Sequence, residues 1–504
     1  MKTSRPQLLW LGISPSDQTS IACKERGIIV LPRSSPPTAV ELSSARAIVF
    51  SIPQGLDTAA IARTYGNSLR ASLRHGLRVF MLLDLADAGA VAAYLRRLRY
   101  GHEPRFWERR LETAIAEEVA RWDPGPAWSG AVEISADSNI EEEDELLLRR
   151  AFGDCTSVRL VGEPGGRSAK VFCVYARLAD SRAGPLPLPF FAKLDRHPKI
   201  RRELENYRDF TTLFVPFNQR PNLDWDRCAL GAERGILVGN FIEESETLRD
   251  VVERGTARAA IHSLFGGALR GWRSQAYYDS SNTRTAQMAL AFPQCVPSNM
   301  RRFQRAILAK NARDATTLGA ALSPQALEDL LRSLPAITHR CATMHGDLHG
   351  DNVRVHRSEA ILIDFHSTTS SGPLVGDPAA LDVSLVMGSR LLRGDQWTDF
   401  ARKAFQLGVL RTLPPPADPV ESGAPLWSSI RLIRQVGLAD QLTDLEYAIA
   451  VAVHLLRRAS FRPDKDEEKS RRAMAYVLAE HLSLEVQKAM AAPAEKRPVS
   501  QILD

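Results

Sequence analysis

Met344-His345-Gly346-Asp347-Leu348-His349-Gly350-Asp351-Asn352, followed shortly by Ala360-Ile361-Leu362-Ile363-Asp364-Phe365, is the stretch whose reading decides the fold. It has the form HxDxxxxN and then a short apolar strand closed by Asp-Phe. Asn352 stands five residues after Asp347, and Asp364 stands seventeen after it. The residues between read VRVH and AILID, two arms of a hairpin. A hairpin returns the chain on itself, so Asn352 at its entry and Asp364 at its exit converge on one face. Two oxygen donors on one face, completed by phosphate oxygens and water, supply the octahedron that Mg²⁺ demands. Asp347, five residues before Asn352, adds a third oxygen-bearing side chain to the same short segment.

That reading requires a phosphate-binding sheet upstream, and the residues for one are present. Val158 to Phe172 reads as strand, Gly-rich turn and strand, with Gly165, Gly166 and Ser168 in the turn. Glycines let the backbone approach phosphate and offer it N–H groups. Next, PFFAKLD places Lys193 among Phe190, Phe191, Ala192 and Leu194, and ten residues later comes Glu203. A strand lysine contacts the α- and β-phosphates when a glutamate of the next helix holds it. Glu205 competes for that part, but Glu203, with Tyr207 four residues on, fits the spacing better. Gly235 to Glu243, followed by Thr247-Leu248-Arg249-Asp250, reads as a further strand, a linker and a helix start, where backbone groups of Asn240, Phe241 and Ile242 would meet adenine.

With these residues in order, the chain resembles the aminoglycoside phosphotransferase and choline kinase group of the protein-kinase-like superfamily. The resemblance rests on HGDLHGDN (345–352), IDF (363–365) and Gly376-Asp377-Pro378-Ala379 with Asp382 beyond, and it spans 157–382. It implies a bilobal α+β kinase-like fold with a large helical C-lobe, ATP and Mg²⁺ as cofactors, and a hydroxyl-bearing acceptor. Asp347 would be catalytic, Asn352 and Asp364 metal ligands, and Gly165, Gly166, Ser168, Lys193, Glu203, Asn240, Phe241 and Ile242 nucleotide-binding. His345 is expected to pack the loop, His349 and Asp351 to shape it, and Asp377 and Asp382 to brace it. His366 departs from the glycine that protein kinases place after Asp-Phe. No acidic acceptor pocket is visible, and Arg-rich helices such as LEYAIAVAVHLLRRASF do not favour a polycationic substrate.

Outward from this core, residues 1–100 carry four apolar runs: QLLWLGI (7–13), GIIVLP (27–32), ARAIVFSIP (45–53) and LRVFMLLD (77–84). Runs apolar throughout suit strands buried on both faces of a parallel sheet. A small doubly wound α/β domain of flavodoxin or receiver type is expected. Serines and prolines stand where a receiver needs acids, so it carries no evident chemistry; Asp17 and Asp84 are the nearest carboxylates. Residues 101–150 read as a helical connector, with a helix over 105–122 and an acidic run, Glu141 to Glu145, at an exposed helix start. The expected division is 1–100, 101–150, an N-lobe over 151–250 and a C-lobe over 251–504 with its catalytic loop at 345–366.

Composition agrees with a folded chain of several domains. Of the 504 residues 44% are hydrophobic and 25% charged, and 65 Lys and Arg against 59 Asp and Glu leave a net charge of +6. No dense basic block points to nucleic acid. The six cysteines show no CxxC pair and read as reduced thiols of a cytoplasmic protein. No apolar run is long enough for a membrane span. The expected activity is ATP-dependent phosphoryl transfer to a hydroxyl. The alternative is a catalytically weak or inactive nucleotide-binding scaffold in a signalling or multi-component bacterial system, with the α/β domain as the partner-binding part.

Overall fold

A computed structural model describes residues 7–84, 89, 91, 105–121, 132–137, 140–163, 169–278, 280–414, 423–463 and 466–492. The chain forms two compact units, one of Met1–Glu205 with Pro221–Ile242, the other of Asn206–Arg220 with Glu243–Asp504.

In the first unit the apolar runs become β1 (Gln7–Gly12), β2 (Ile29–Arg33), β3 (Ala45–Ser51) and β4 (Arg78–Leu83), joined by β5 (Arg105–Glu108). All pair in parallel, in the order β2-β1-β3-β4-β5. Side chains alternate across the sheet, and each set finds its own core. Leu9, Leu11, Ile48, Phe50, Val79 and Met81 pack with Ile61, Leu69 and Leu73 of the helix Thr58–Arg74. Leu8, Trp10, Ala47, Val49, Phe80 and Leu82 pack with Cys23, Ile115 and Val119. Burial on both faces is why β1, β3 and β4 are apolar throughout, whereas the edge strand β2 has no fully buried residue.

The helix expected over 105–122 is shorter: residues 105–108 are strand β5 and the helix is Ala114–Arg121. Phe and Trp favour strands, and the edge of β4 offers them a ladder of backbone partners. The connector is likewise partly strand, because β6 (Glu133–Ala136) pairs in parallel with β7 (Cys155–Glu163). β7, β8 (Lys170–Leu178), β9 (Phe190–Arg196), β10 (Ala229–Leu230) and β11 (Arg234–Asn240) complete a six-stranded sheet in the order β10-β11-β9-β8-β7-β6. Apart from β6 it is antiparallel.

The acidic run does open a helix, Glu142–Ala151, but it is not all exposed. Asp144 is fully buried between Arg234 Nε at 2.8 Å and Lys170 Nζ at 3.1 Å. From the end of that helix the enclosed Arg150 donates Nη2 to Ala45 O at 3.2 Å and Nε to His75 O. One buried guanidinium thus satisfies carbonyls at the rim of the parallel sheet, and burial pulls it down to about 10.

The second unit holds two three-stranded sheets and the long helices. One sheet is β12 (Glu246–Thr247), β15 (Val353–His356) and β16 (Glu359–Leu362); the other is β13 (Thr283–Ala286), β14 (Ile337–Met344) and β17 (Thr369–Pro373). The helix Gly376–Met387 is buried along its whole length, among the helices Ala424–Asp440 and Glu446–Ala459. Its Asp382 carries a buried charge that Arg434 meets with Nε at 2.7 Å and Nη2 at 3.1 Å, while Tyr447 donates its hydroxyl at 3.0 Å. Among the described residues no helix is long and apolar enough to cross a membrane.

Candidate active site

The loop after β14 is built by a glycine and a buried aspartate. Gly346 has φ +75°, and a Cβ there would stand 2.3 Å from Ser367 O, so only glycine fits. Asp377, at the start of the buried helix, accepts from His345 N at 2.7 Å and Gly346 N at 3.1 Å. The enclosed His345 ring donates Nε2 to Ile363 O at 2.9 Å and lies against Phe365. Phe365 is itself locked by edge contacts with Tyr207 and Trp272, so the two functional segments share one packed floor. Asn206 Nδ2 adds bonds to Phe365 O at 2.8 Å and His366 O at 3.1 Å.

On this floor stands Asp347. Asn352 Nδ2 donates to Asp347 O at 3.0 Å, and Ile363 N donates to Asn352 O at 3.0 Å. The β15–β16 hairpin pairs Val353 with Leu362, which puts Asn352 and the Ile363-Asp364 exit at the same end. Asp364 adopts a left-handed backbone, φ +65° and ψ 70°, a conformation that a non-glycine residue holds only when its surroundings impose it.

The donor set fits a hard divalent cation on two counts. The Asn352 amide spends its nitrogen on Asp347 O and so presents its oxygen as the acceptor. The enforced backbone of Asp364 fixes a carboxylate at the same hairpin end. Oxygen donors of this kind suit Mg²⁺, which takes few protein ligands and fills its shell with phosphate oxygens and water.

Two arginines that the motif does not contain govern the loop's charge. Arg457, on the helix Glu446–Ala459, places Nη2 2.9 Å from Asp347 Oδ1 and Nη1 3.1 Å from Gly346 O. Burial, the largest influence, pushes the Asp347 carboxyl up, but Arg457, His349 and His345 together outweigh it, and the group stays below its ordinary value. Arg249 grips Asp351 with Nε and Nη2, both at 2.9 Å. Burial there too is outweighed, by His349 and Arg249, which hold Asp351 far below the usual carboxylate range. Neither arginine could be found by spacing, since each lies over a hundred residues from its partner.

In the other unit, Lys193 Nζ stands 2.7 Å from Glu203 Oε2, both largely buried. Glu205 instead pairs with Arg201 at 2.9 Å on the exposed side of the helix His197–Asn206. β9 carries Lys193, and its register with β11 sets Lys193 opposite Leu237. At the linker, Asn240 N donates to Asn222 O at 3.2 Å and Phe241 N to Pro189 O at 3.0 Å. Those two amides are therefore occupied by the chain itself. Gly165, Gly166 and Ser168 lie outside the described residues.

The family described as "Ternary complex associated domain 9" matches residues 316–479, which contain the loop, the hairpin and the Arg457 helix. Structural neighbours are aminoglycoside phosphotransferases and related kinases at low identity. A thermostable mutant of aminoglycoside phosphotransferase APH(4)-Ia, in ternary complex with ADP and hygromycin B, is 13% identical over 68% of this chain and 97% of its own, with a TM-score of 0.34. A glucosamine kinase is 12% identical over 67% and 92%, at 0.29. An amicoumacin kinase in complex with AMP-PNP and Ca²⁺ is 11% identical over 66% and 88%, at 0.30. No curated protein matches the chain.

Proposed function

We propose that the chain is an ATP- and Mg²⁺-dependent phosphotransferase that moves the γ-phosphoryl group of ATP to a hydroxyl of its acceptor. The observation that carries this reading is the loop: Asp347 is fixed through its carbonyl by Asn352, and Asn352 and Asp364 meet at one hairpin end. In such a site the protein contributes positioning and charge rather than covalent chemistry. Asp347 orients the acceptor hydroxyl and takes its proton. Asn352 and Asp364 would hold the cation, which would screen the phosphate charge when bound. Lys193, fixed by Glu203, would neutralise phosphate charge, and Gly165, Gly166 and Ser168 remain the phosphate-binding residues that the sequence implies. With the amides of Asn240 and Phe241 occupied, adenine would be read by carbonyls of the linker 240–242 and by packing.

The reading divides the chain into a kinase-like N-lobe and helical C-lobe over 151–504, preceded by a doubly wound, receiver-like module. The strand order β2-β1-β3-β4-β5, which is that of flavodoxin-like sheets, supports that module. In it Arg109 sits at the strand ends, donating to Ser51 Oγ at 3.0 Å and Ile52 O at 2.6 Å, and a partner-binding part for this module belongs to the scaffold reading.

The test is Mg²⁺-dependent ATP binding and turnover by wild type, Asp347→Ala and Asp364→Ala. Turnover by wild type, with Asp347→Ala binding ATP but not consuming it, is the expected result. Absence of ATP binding refutes the proposal; binding without turnover across broad acceptor classes favours the scaffold reading.

A further inference from the structure

The short hairpin of β10 and β11 reaches two ways within the first unit. Its turn, 231–233, sends Ala232 into the core of the parallel sheet, where it is buried with Leu42, Ala45, Leu73 and Leu77. The same turn meets the helix His197–Asn206, which carries Glu203. His197, the first residue of that helix and fully buried, donates Nδ1 to Gly231 O at 2.7 Å and its backbone N to Glu233 O at 2.8 Å. The opening amides of a helix have no partner within it, so the turn supplies the acceptor that His197 lacks.

Ala232 is not the turn's only tie to the module. Glu143, on the helix Glu142–Ala151, accepts from Glu233 N at 2.9 Å and Arg234 N at 3.2 Å. Further along the same helix, Arg150 donates to His75 O and Ala45 O of the parallel-sheet module. Gly76 closes that contact: a Cβ on it would stand 3.1 Å from Arg150 Cδ and 3.5 Å from Ala229 Cβ. At the helix, a Cβ on Gly235 of β11 would stand 2.9 Å from Ile200 Cβ, so strand and helix are packed without slack. Buried contacts therefore tie the helix start to the turn, and the turn to the module. Glu203 lies six residues beyond His197, about 9 Å along the helix axis. Its Oε2 is 2.7 Å from Lys193 Nζ, and a displacement of about 1 Å is enough to break such a bond.

We propose that His197 is a positioning residue for the Lys193–Glu203 pair, and that the parallel-sheet module acts on that pair through the turn 231–233 and His197. The consequence for nucleotide rests on the phosphotransferase reading; the link from module to helix does not. His197 is enclosed and acts only through Glu203. The module thereby contributes to the site without a phosphoacceptor of its own.

The test combines hydrogen exchange of the full chain without ligand and calorimetric titration with Mg²⁺-ATP. His197→Phe keeps a ring and removes the Nδ1 donor, whereas His197→Asn keeps an N–H at similar reach. In His197→Phe, exchange in the helix His197–Asn206 should quicken and ATP affinity should fall about three- to tenfold, the loss expected for one buried hydrogen bond. His197→Asn should recover most of both. A residue that acts through Glu203 adds nothing once that side chain is gone, so His197→Phe with Glu203→Ala should bind ATP no worse than Glu203→Ala alone. Losses that multiply overturn the positioning role. Ala232→Leu overfills the module core and Ala232→Asp buries a charge in it, a milder and a harsher disturbance of the same contact. Exchange in the helix His197–Asn206 should quicken in step with exchange in the helix Thr58–Arg74. Unchanged protection of His197–Asn206 in both variants overturns the link. If wild type binds no ATP, the phosphotransferase reading fails, and the exchange measurements still decide whether the module holds the helix.

Discussion

Arg434→Met isolates the contribution of one buried ion pair to the unit that carries the catalytic loop. Arg434 and Asp382 are 1% and 0% exposed, so water can replace neither partner. Removing the guanidinium leaves the Asp382 carboxylate with one bond, from the Tyr447 hydroxyl at 3.0 Å. Stranding a buried charge costs about 3–5 kcal/mol. The guanidinium also lies over the Phe405 and Trp427 rings, its central carbon 5.7 and 5.9 Å from their centres, so Met forfeits those cation–π contacts as well. At about 2–4 °C per kcal/mol for a unit of this size, the unfolding midpoint should fall by roughly 6–20 °C. The double variant Asp382→Leu with Arg434→Met removes both charges and should recover most of that loss. Urea and thermal unfolding of the three proteins, followed by helix signal, decide the matter. A single variant costing under about 1 kcal/mol, or a double variant as unstable as the single, refutes the argument that the pair acts by mutual neutralisation.

Four further outcomes are expected. Gly346→Ala should reduce turnover by roughly a hundredfold with nucleotide binding retained. Its Cβ must displace Ser367 O from 2.3 Å, and an ångström of misplacement at the loop has that effect on rate. Lys193→Met should weaken ATP binding roughly tenfold or more, and Glu203→Gln less, because the lysine is then loosened rather than lost; calorimetric titration reads both. His454 is pulled down to about 3 by burial and by Arg457, with Asp347 and the Gly376 carbonyl acting against them. Its folded value lies below its unfolded value of about 6.5, so the unfolded state binds the extra proton, and stability is lost as pH falls through that window, at roughly 1.4 kcal/mol per pH unit at the steepest. His454→Phe should flatten that acid limb in denaturation measured from pH 7 to 4, and an unchanged slope would exclude His454 as its source. Arg150→Met should destabilise the first unit, since His75 O and Ala45 O lose their donor; faster hydrogen exchange at the C-terminus of the helix Thr58–Arg74 and at the start of β3 checks it.

What could be read from the sequence, and what could not, follows from how far each feature reaches along the chain. The apolar runs of β1, β3 and β4 could be read because burial on both faces leaves no room for polar residues, a constraint each strand carries alone; β2, at the sheet edge, is apolar without being buried. The metal-side geometry is local too: Asn352 and Asp364 flank a single tight hairpin, so counting residues places them together. β5 and β6 escaped because four-residue strands add little pattern of their own, and what makes them strands is the open edge beside them. The electrostatics were the least legible part. Arg457 on Asp347, Arg249 on Asp351 and Arg434 on Asp382 each join residues far apart in sequence, and a chain with 65 Lys and Arg offers no spacing rule that picks out three. Yet these pairs decide what the loop can do. Arg457, 2.9 Å from the Asp347 carboxylate, favours its ionised form and lowers its basicity, so the charge at the loop is set by a residue that the motif does not contain.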